Sequence, residues 1–242
     1  MPAALRSTKR EGAARKRRPI PRPTNRYEKL AREEGFRSIA GIDEAGRGCL
    51  FGPVVAAAVI LDPEKPLKGL ADSKLLDAEV RETLAPQIRE RAIAWAVAGV
   101  DAAWIDRVNI YQAARMAMER AVAQLDPAPD YLLVDAMRLG VGCRQLSLIG
   151  GDRKSRSIAA ASILAKTERD RWIKRWSEVY PAYNLASNKG YGTPDHLRAL
   201  AEHGPTPAHR MSFEPVAAVA RFGHAVSAPV KQMALFAEAG SA

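Results

Sequence analysis

Cysteine is scarce: Cys49 and Cys143 are the only two in 242 residues. Two thiols this far apart give neither a disulfide framework nor a metal-ligand spacing. They are expected to be free thiols in a reducing, cytoplasmic setting. Long apolar runs are missing too. The longest, Pro53 to Leu61, is far too short to span a bilayer and suits a buried strand. No apolar secretory segment opens the chain, and no internal repeat is visible. What remains is an ordinary soluble composition with 47% hydrophobic residues, enough for a buried core in one large domain or two small ones.

Acidic residues are nearly missing from residues 1–26, where Glu11 alone faces nine lysines and arginines. That stretch therefore carries +8 of the +10 formal net charge, and the rest of the chain is almost balanced. With Pro19, Pro21 and Pro23 and few large apolar side chains, it cannot bury enough surface to offset ordering entropy. Residues 1–26 are expected to be a disordered basic arm. Its cations would raise salt-sensitive, sequence-blind affinity for nucleic acid; the alternative is a solubilising tail. A flexible tail is expected at the other end, over 225–242.

Between these ends, period-two and short apolar runs predict strands over 37–44, 53–61, 92–100, 131–135 and 144–149. A glycine-containing turn makes the first two a hairpin. Asp77 caps a helix reaching about Glu90. One helix is expected over 101–125 and a long one from about Ser155 to Val179, ended by Tyr180-Pro181. Thr193-Pro194 starts another, running to about Glu202: a hydroxyl cap, then proline at the first helical position. The order predicts a mixed α/β sheet with a helical C-terminal part. The expected divisions are a core over 27–180 and a helical extension over 181–224.

Four acids stand where apolar patterning makes an acid expensive. Asp43 and Glu44 end the first strand, Asp135 ends Tyr131-Leu132-Leu133-Val134, and Asp170 lies on the long helix in line with Ala159, Ile163, Lys166 and Ile173. Carboxylates gathered in one place repel unless a cation neutralises them. Oxygen-only ligand sets suit Mg²⁺, and paired metals can hydrolyse a phosphodiester. Adjacent strand residues point to opposite faces, so Asp43 and Glu44 share a metal only if the strand ends or bulges there. Gly46 and Gly48 allow that bend. Singly, each acid also has a structural reading: Asp135 could cap a turn, and Asp170 could pair with Lys166 four residues earlier.

The runs GIDEAGRGCLFGPVVAAAVIL (41–61), LADSKLL (70–76), VDAM (134–137), IAAASILAKTERDR (158–171), NKGYGTPDHL (188–197) and HGPTPAHRMSFEPV (203–216) resemble, block by block and in order, the type 2 ribonucleases H, the ribonuclease HII family. The resemblance implies an α/β fold: a ribonuclease H-like mixed five-stranded sheet flanked by helices, with a helical C-terminal extension. It implies cleavage of RNA in RNA/DNA hybrids and incision 5′ of single ribonucleotides in duplex DNA, leaving 3′-hydroxyl and 5′-phosphate ends. Mg²⁺ or Mn²⁺, two ions in the substrate complex, would be held by Asp43, Glu44, Asp135 and Asp170, with Asp43 bridging. Ala136 departs from the family's usual glycine, and Thr167-Glu168 from its commoner Val-Thr.

By the same resemblance, Gly46-Arg47-Gly48 contacts the ribose 2′-hydroxyl, which both donates and accepts a hydrogen bond. Tyr191 would sense the RNA-to-DNA junction by bonding that hydroxyl and packing on the next sugar. Ser73, Lys74, Lys166, His209, Arg210 and Ser212 are expected phosphate contacts. His196 and His203 are not read as metal ligands. Gln232, Leu235 and Phe236, in Gln-Met-Ala-Leu-Phe, resemble peptides that dock on bacterial sliding clamps, two apolar anchors on a tail filling a groove. A monomer is expected. The rivals are another metal nuclease of the same fold and a catalytically silent nucleic-acid binder.

Overall fold

The computed structural model describes residues 20–222. In chain order the elements are α1 (Arg26–Glu33), β1 (Ile39–Ala45), β2 (Val54–Leu61), α2 (Ala78–Arg91), β3 (Ala92–Val100), α3 (Ala102–Val108), α4 (Ile110–Ala123), β4 (Tyr131–Asp135), β5 (Arg144–Leu148), α5 (Arg156–Val179), α6 (Leu185–Asn188), α7 (Pro194–His203) and α8 (Glu214–Phe222). The strands form one sheet in the order β3-β2-β1-β4-β5. β1, β2 and β3 pair antiparallel, as the hairpin reading predicts, while β4 joins β1 in parallel and β5 joins β4 in parallel.

The two faces of β1 go to different cores. Ala40 and Ile42 join the cluster that contains Ala113, Ala117 and Met118 of α4. On the other side, Val55, Ala57 and Val59 of β2 meet Ala159, Ala160 and Ile163 of α5. Ile158, Ile163 and Leu164 are fully buried, each contributing about 1.5–3 kcal/mol. The run of small residues on α5 lets the helix backbone lie almost on the strand: a Cβ added at Gly41 would sit 2.1 Å from the carbonyl carbon of Ser157. This contact fixes the position of α5 along β1, and through it the site.

Three details differ from the sequence reading. The folded body begins before residue 27, since Thr24 forms a parallel bridge with Ser155. Directly after it comes α1, which sequence patterning left unassigned. Its Glu28 is buried and takes hydrogen bonds from the Ser155 and Ser157 hydroxyls and the Ser157 amide, satisfying orphan donors at the start of α5. The helix expected over 101–125 is two. Asn109 adopts φ 69°, which no helix continues through, and its side chain caps α4 by accepting the Gln112 amide at 3.1 Å. Downstream, Thr193 caps α7 and Pro194 follows as expected. No helix among the described residues is long and apolar enough to cross a membrane. Gln232, Leu235 and Phe236 lie outside the described residues.

Candidate metal centre

The parallel pairing of β1 with β4 matches Ile42 to Val134, so the next residues, Asp43 near the end of β1 and Asp135 at the end of β4, lie on the same face. Asp43 is buried. One of its oxygens accepts the Glu44 amide at 2.7 Å, and the Ser162 hydroxyl of α5 also bonds to it. Burial, then the charges of Glu44 and Asp135, push the Asp43 carboxyl well above the usual carboxylate range. Asp135 accepts the Gly151 amide at 2.7 Å.

β1 does not end or bulge at Glu44: pairing continues to Ala45 opposite Val55. The bend comes one residue later, at Gly46 with φ 93°. Glu44 therefore leaves the opposite face from Asp43, yet it stands at the strand's very end, where Asp135 still acts on it. Burial raises its carboxyl; Arg47 and Lys74 oppose the shift and Asp135 adds to it. Arg47 reaches one Glu44 oxygen at 3.3 Å. The other, Oε2, is buried without any hydrogen-bond partner.

The structure supplies a further acid that sequence patterning passed over. Asp152 sits in the 3-10 turn Gly151–Arg153 between β5 and α5 and is buried. Burial, then Asp72 and Asp135, raise its carboxyl to about 6. Asp72, fully buried, accepts the Lys74 amide and the Arg153 guanidinium, both at 2.9 Å. Those bonds, with one from Asp152, hold Asp72 below the usual value despite its burial. Nothing in the apolar pattern marks a loop acid. The available signal was a lone Asp between a double glycine and the Ser155 helix cap.

Asp170 does not join this group. Its carboxylate receives Lys166 Nζ at 2.7 Å and faces Arg81 at 3.6 Å, and the group it acts on is Tyr191. It lies eight residues beyond Ser162 on α5, about 12 Å along the axis. Of the expected quartet of Asp43, Glu44, Asp135 and Asp170, the last is paired here with the local cations Lys166 and Arg81.

The gathered carboxylates do not close into a ready-made shell of three ligands among the described residues. The orphaned Glu44 oxygen and the raised carboxyls are what a divalent cation would relieve. An all-oxygen donor set suits Mg²⁺ or Mn²⁺.

Several expected phosphate contacts spend polar atoms on the protein itself. Arg210 is fully buried and donates to the carbonyls of Gly46, Arg47 and Gly52; burial lowers its guanidinium to about 9. Arg169, also fully buried, donates to Phe51, Pro53 and Lys189 carbonyls. Together they clamp the loop carrying Gly46-Arg47-Gly48 from two sides. The Ser73 hydroxyl is buried against that of Ser162 at 2.8 Å, and Ser212 donates to Asp106 at 2.6 Å. His209 is buried, and burial with the neighbouring His196 lowers it to about 3.

That neutral His209 has a fixed tautomer. Its Nδ1 accepts the Thr206 amide, so Nε2 carries the hydrogen and donates to His196 Nε2 at 3.1 Å. His196 then donates from Nδ1 to the Tyr191 carbonyl at 2.9 Å. The chain holds the backbone of Tyr191, a residue 42% exposed, with Lys166 Nζ 5.7 Å from its ring centroid. Of the expected contacts, Arg47, Lys74, Tyr191 and Ser212 are exposed and Lys166 is partly so.

The family model for ribonuclease HII matches residues 40–216. A ribonuclease HII of Solibacter usitatus is 54% identical over 233 residues, 93% of this chain and all of that one. Among solved structures, ribonuclease H2 from Pyrococcus horikoshii superposes with a TM-score of 0.64 at 26% identity, over 76% of this chain and 97% of that one. The PCNA:RNase HII complex from Archaeoglobus fulgidus matches with TM-score 0.64 at 29% identity, over 75% and 96%.

Proposed function

This chain belongs to the ribonuclease HII family, metal-dependent endoribonucleases acting on RNA/DNA hybrids, and from that premise we propose that it also incises duplex DNA 5′ of a single embedded ribonucleotide. The products are 3′-hydroxyl and 5′-phosphate ends. Asp43, Glu44, Asp135 and Asp152 would hold two divalent cations. The observation that carries this reading is the gathering of carboxylates at the ends of β1 and β4, with one buried oxygen, Glu44 Oε2, left unpartnered.

Bound there, divalent cations supply a water of lowered pKa and positive charge for the departing 3′ oxygen. The chain's own residues do the rest. Ser162 and the Glu44 amide orient Asp43. The Gly151 amide orients Asp135, and Asp72 orients Asp152. The Arg169–Arg210 clamp sets the backbone of Gly46-Arg47-Gly48 for the 2′-hydroxyl, with no Cβ at either glycine to block approach. Tyr191 reads the junction: its hydroxyl bonds the ribose, while its ring packs on the next sugar and is crowded by a second ribose. Lys74 and Lys166 bring charge to the phosphates.

The Archaeoglobus fulgidus structure pairs a ribonuclease HII with PCNA. By analogy, the residues Gln232, Leu235 and Phe236 are proposed to dock on a sliding clamp. The test of the main reading is incision of a duplex holding one ribonucleotide, with the ends mapped. Cutting 5′ of the ribonucleotide in Mg²⁺ or Mn²⁺, abolished by EDTA, is expected; metal-independent cutting, or cutting only in long hybrids, overturns it.

A further inference from the structure

A groove of about 440 Å³ runs between α2 and α5, beside the metal centre and outside it. Five cations line it: Arg81 of α2, Lys166, Arg171 and Lys174 of α5, and Lys189 from the loop that carries Tyr191. Only Asp170 and Glu82 oppose them. Thr167 lines the same groove; the residue is 8% exposed, and its buried hydroxyl oxygen has no hydrogen-bond partner. A groove so charged fits a ligand of repeated negative charge.

We infer that this groove takes backbone phosphates of the nucleic-acid strand flanking the cut, and that Asp170 occupies the anion position while the groove is empty. Asp170 holds Lys166 at 2.7 Å and Arg81 at 3.6 Å, as a phosphate oxygen would. Continuity fixes the occupant. Lys166 borders the Tyr191 ring at one end, and Lys189 is two residues from Tyr191, so a strand leaving the junction enters the groove directly. From Lys166 to Lys174 is eight residues of helix, about 12 Å. At 3.4 Å of rise per nucleotide in one strand, that covers roughly three to four nucleotides. Asp170 is then a competitor of the phosphates, and removing its charge strengthens binding.

The identity of the strand rests on the ribonuclease reading, but the groove itself binds phosphate whether or not any ribose is present. The test therefore uses the full chain in EDTA with a fluorescent all-deoxy duplex, reading anisotropy across a salt series. Each lost phosphate contact flattens the slope of log K against log salt by about 0.9. Lys174→Ala with Lys189→Ala is expected to flatten it by about 1.8, and Asp170→Asn to tighten binding several-fold at fixed salt. Melting curves confirm that both variants are folded. An unchanged slope in the double variant makes the groove a solvated surface and ends the inference; weaker binding by Asp170→Asn removes the role given to that carboxylate. Neither result depends on whether the protein cuts.

Discussion

Replacing Asp152 by Asn should move stability and catalysis in opposite directions. In the metal-free protein, burial and the charges of Asp72 and Asp135 raise the Asp152 carboxyl from 3.8 to about 6. A folded-state value above the unfolded one means that the group penalises folding once it must ionise. Relative stability is therefore highest below pH about 4 and falls as pH rises through about 6. A shift of about two units sets a ceiling of about 3 kcal/mol; solvent screening beside the site reduces this to about 1 kcal/mol. Asn keeps the shape and removes the repulsion. Asp152→Asn in EDTA at pH 8 should melt about 2–4 °C above wild type, from the usual relation for a chain of this size. At pH 4 the difference should vanish. Divalent cation should reverse the order, because wild type alone retains the full binding site and gains stability by mass action. Thermal melts of both proteins at the two pH values, with and without Mg²⁺, provide the measurement. A variant equally or less stable than wild type at pH 8 in EDTA would refute the reasoning.

Ala136 stands at φ 47°, where an L side chain costs about 1–2 kcal/mol. Glycine removes that strain but costs about 0.5–1 kcal/mol of chain entropy. Ala136→Gly should therefore raise the melting temperature slightly, and a fall would show the turn to be unstrained. Arg210→Lys keeps the charge but cannot span the carbonyls of Gly46, Arg47 and Gly52. Each acceptor left unpaired costs about 1–3 kcal/mol, so the variant should melt several degrees lower and show a raised KM on a ribonucleotide-bearing duplex. An unchanged KM would separate the clamp from substrate recognition.

The centre of the sheet was legible because β1, β2 and β4 bury both faces and read as continuous apolar runs, and because α5 carries small residues at the spacing a close approach to Gly41 requires. Asp43 and Asp135 were legible for the same reason: an acid closing an apolar strand stands out. Asp152 was not, because an acid in a polar loop has no contrasting background. Asp170 is the opposite case. Its place on a largely buried helix suggested a ligand, whereas Lys166 one turn back and Arg81 from α2 supply its counter-charges. Arg210, His209 and Ser73 looked like phosphate contacts because their residue types suit phosphate. Only the fold reveals that their polar atoms are spent on loop carbonyls, a neighbouring imidazole and Ser162. α1 escaped notice as two short turns whose function, capping α5 through Glu28, is set by tertiary contact.

Side-by-side incision of a duplex containing one ribonucleotide, in Mg²⁺, by wild type, Asp43→Asn, Asp152→Asn and Asp170→Asn tests the carboxylate assignment most directly. The expected result is loss of cutting in the first two variants and retention in Asp170→Asn. Cutting that survives Asp152→Asn and disappears in Asp170→Asn would contradict it.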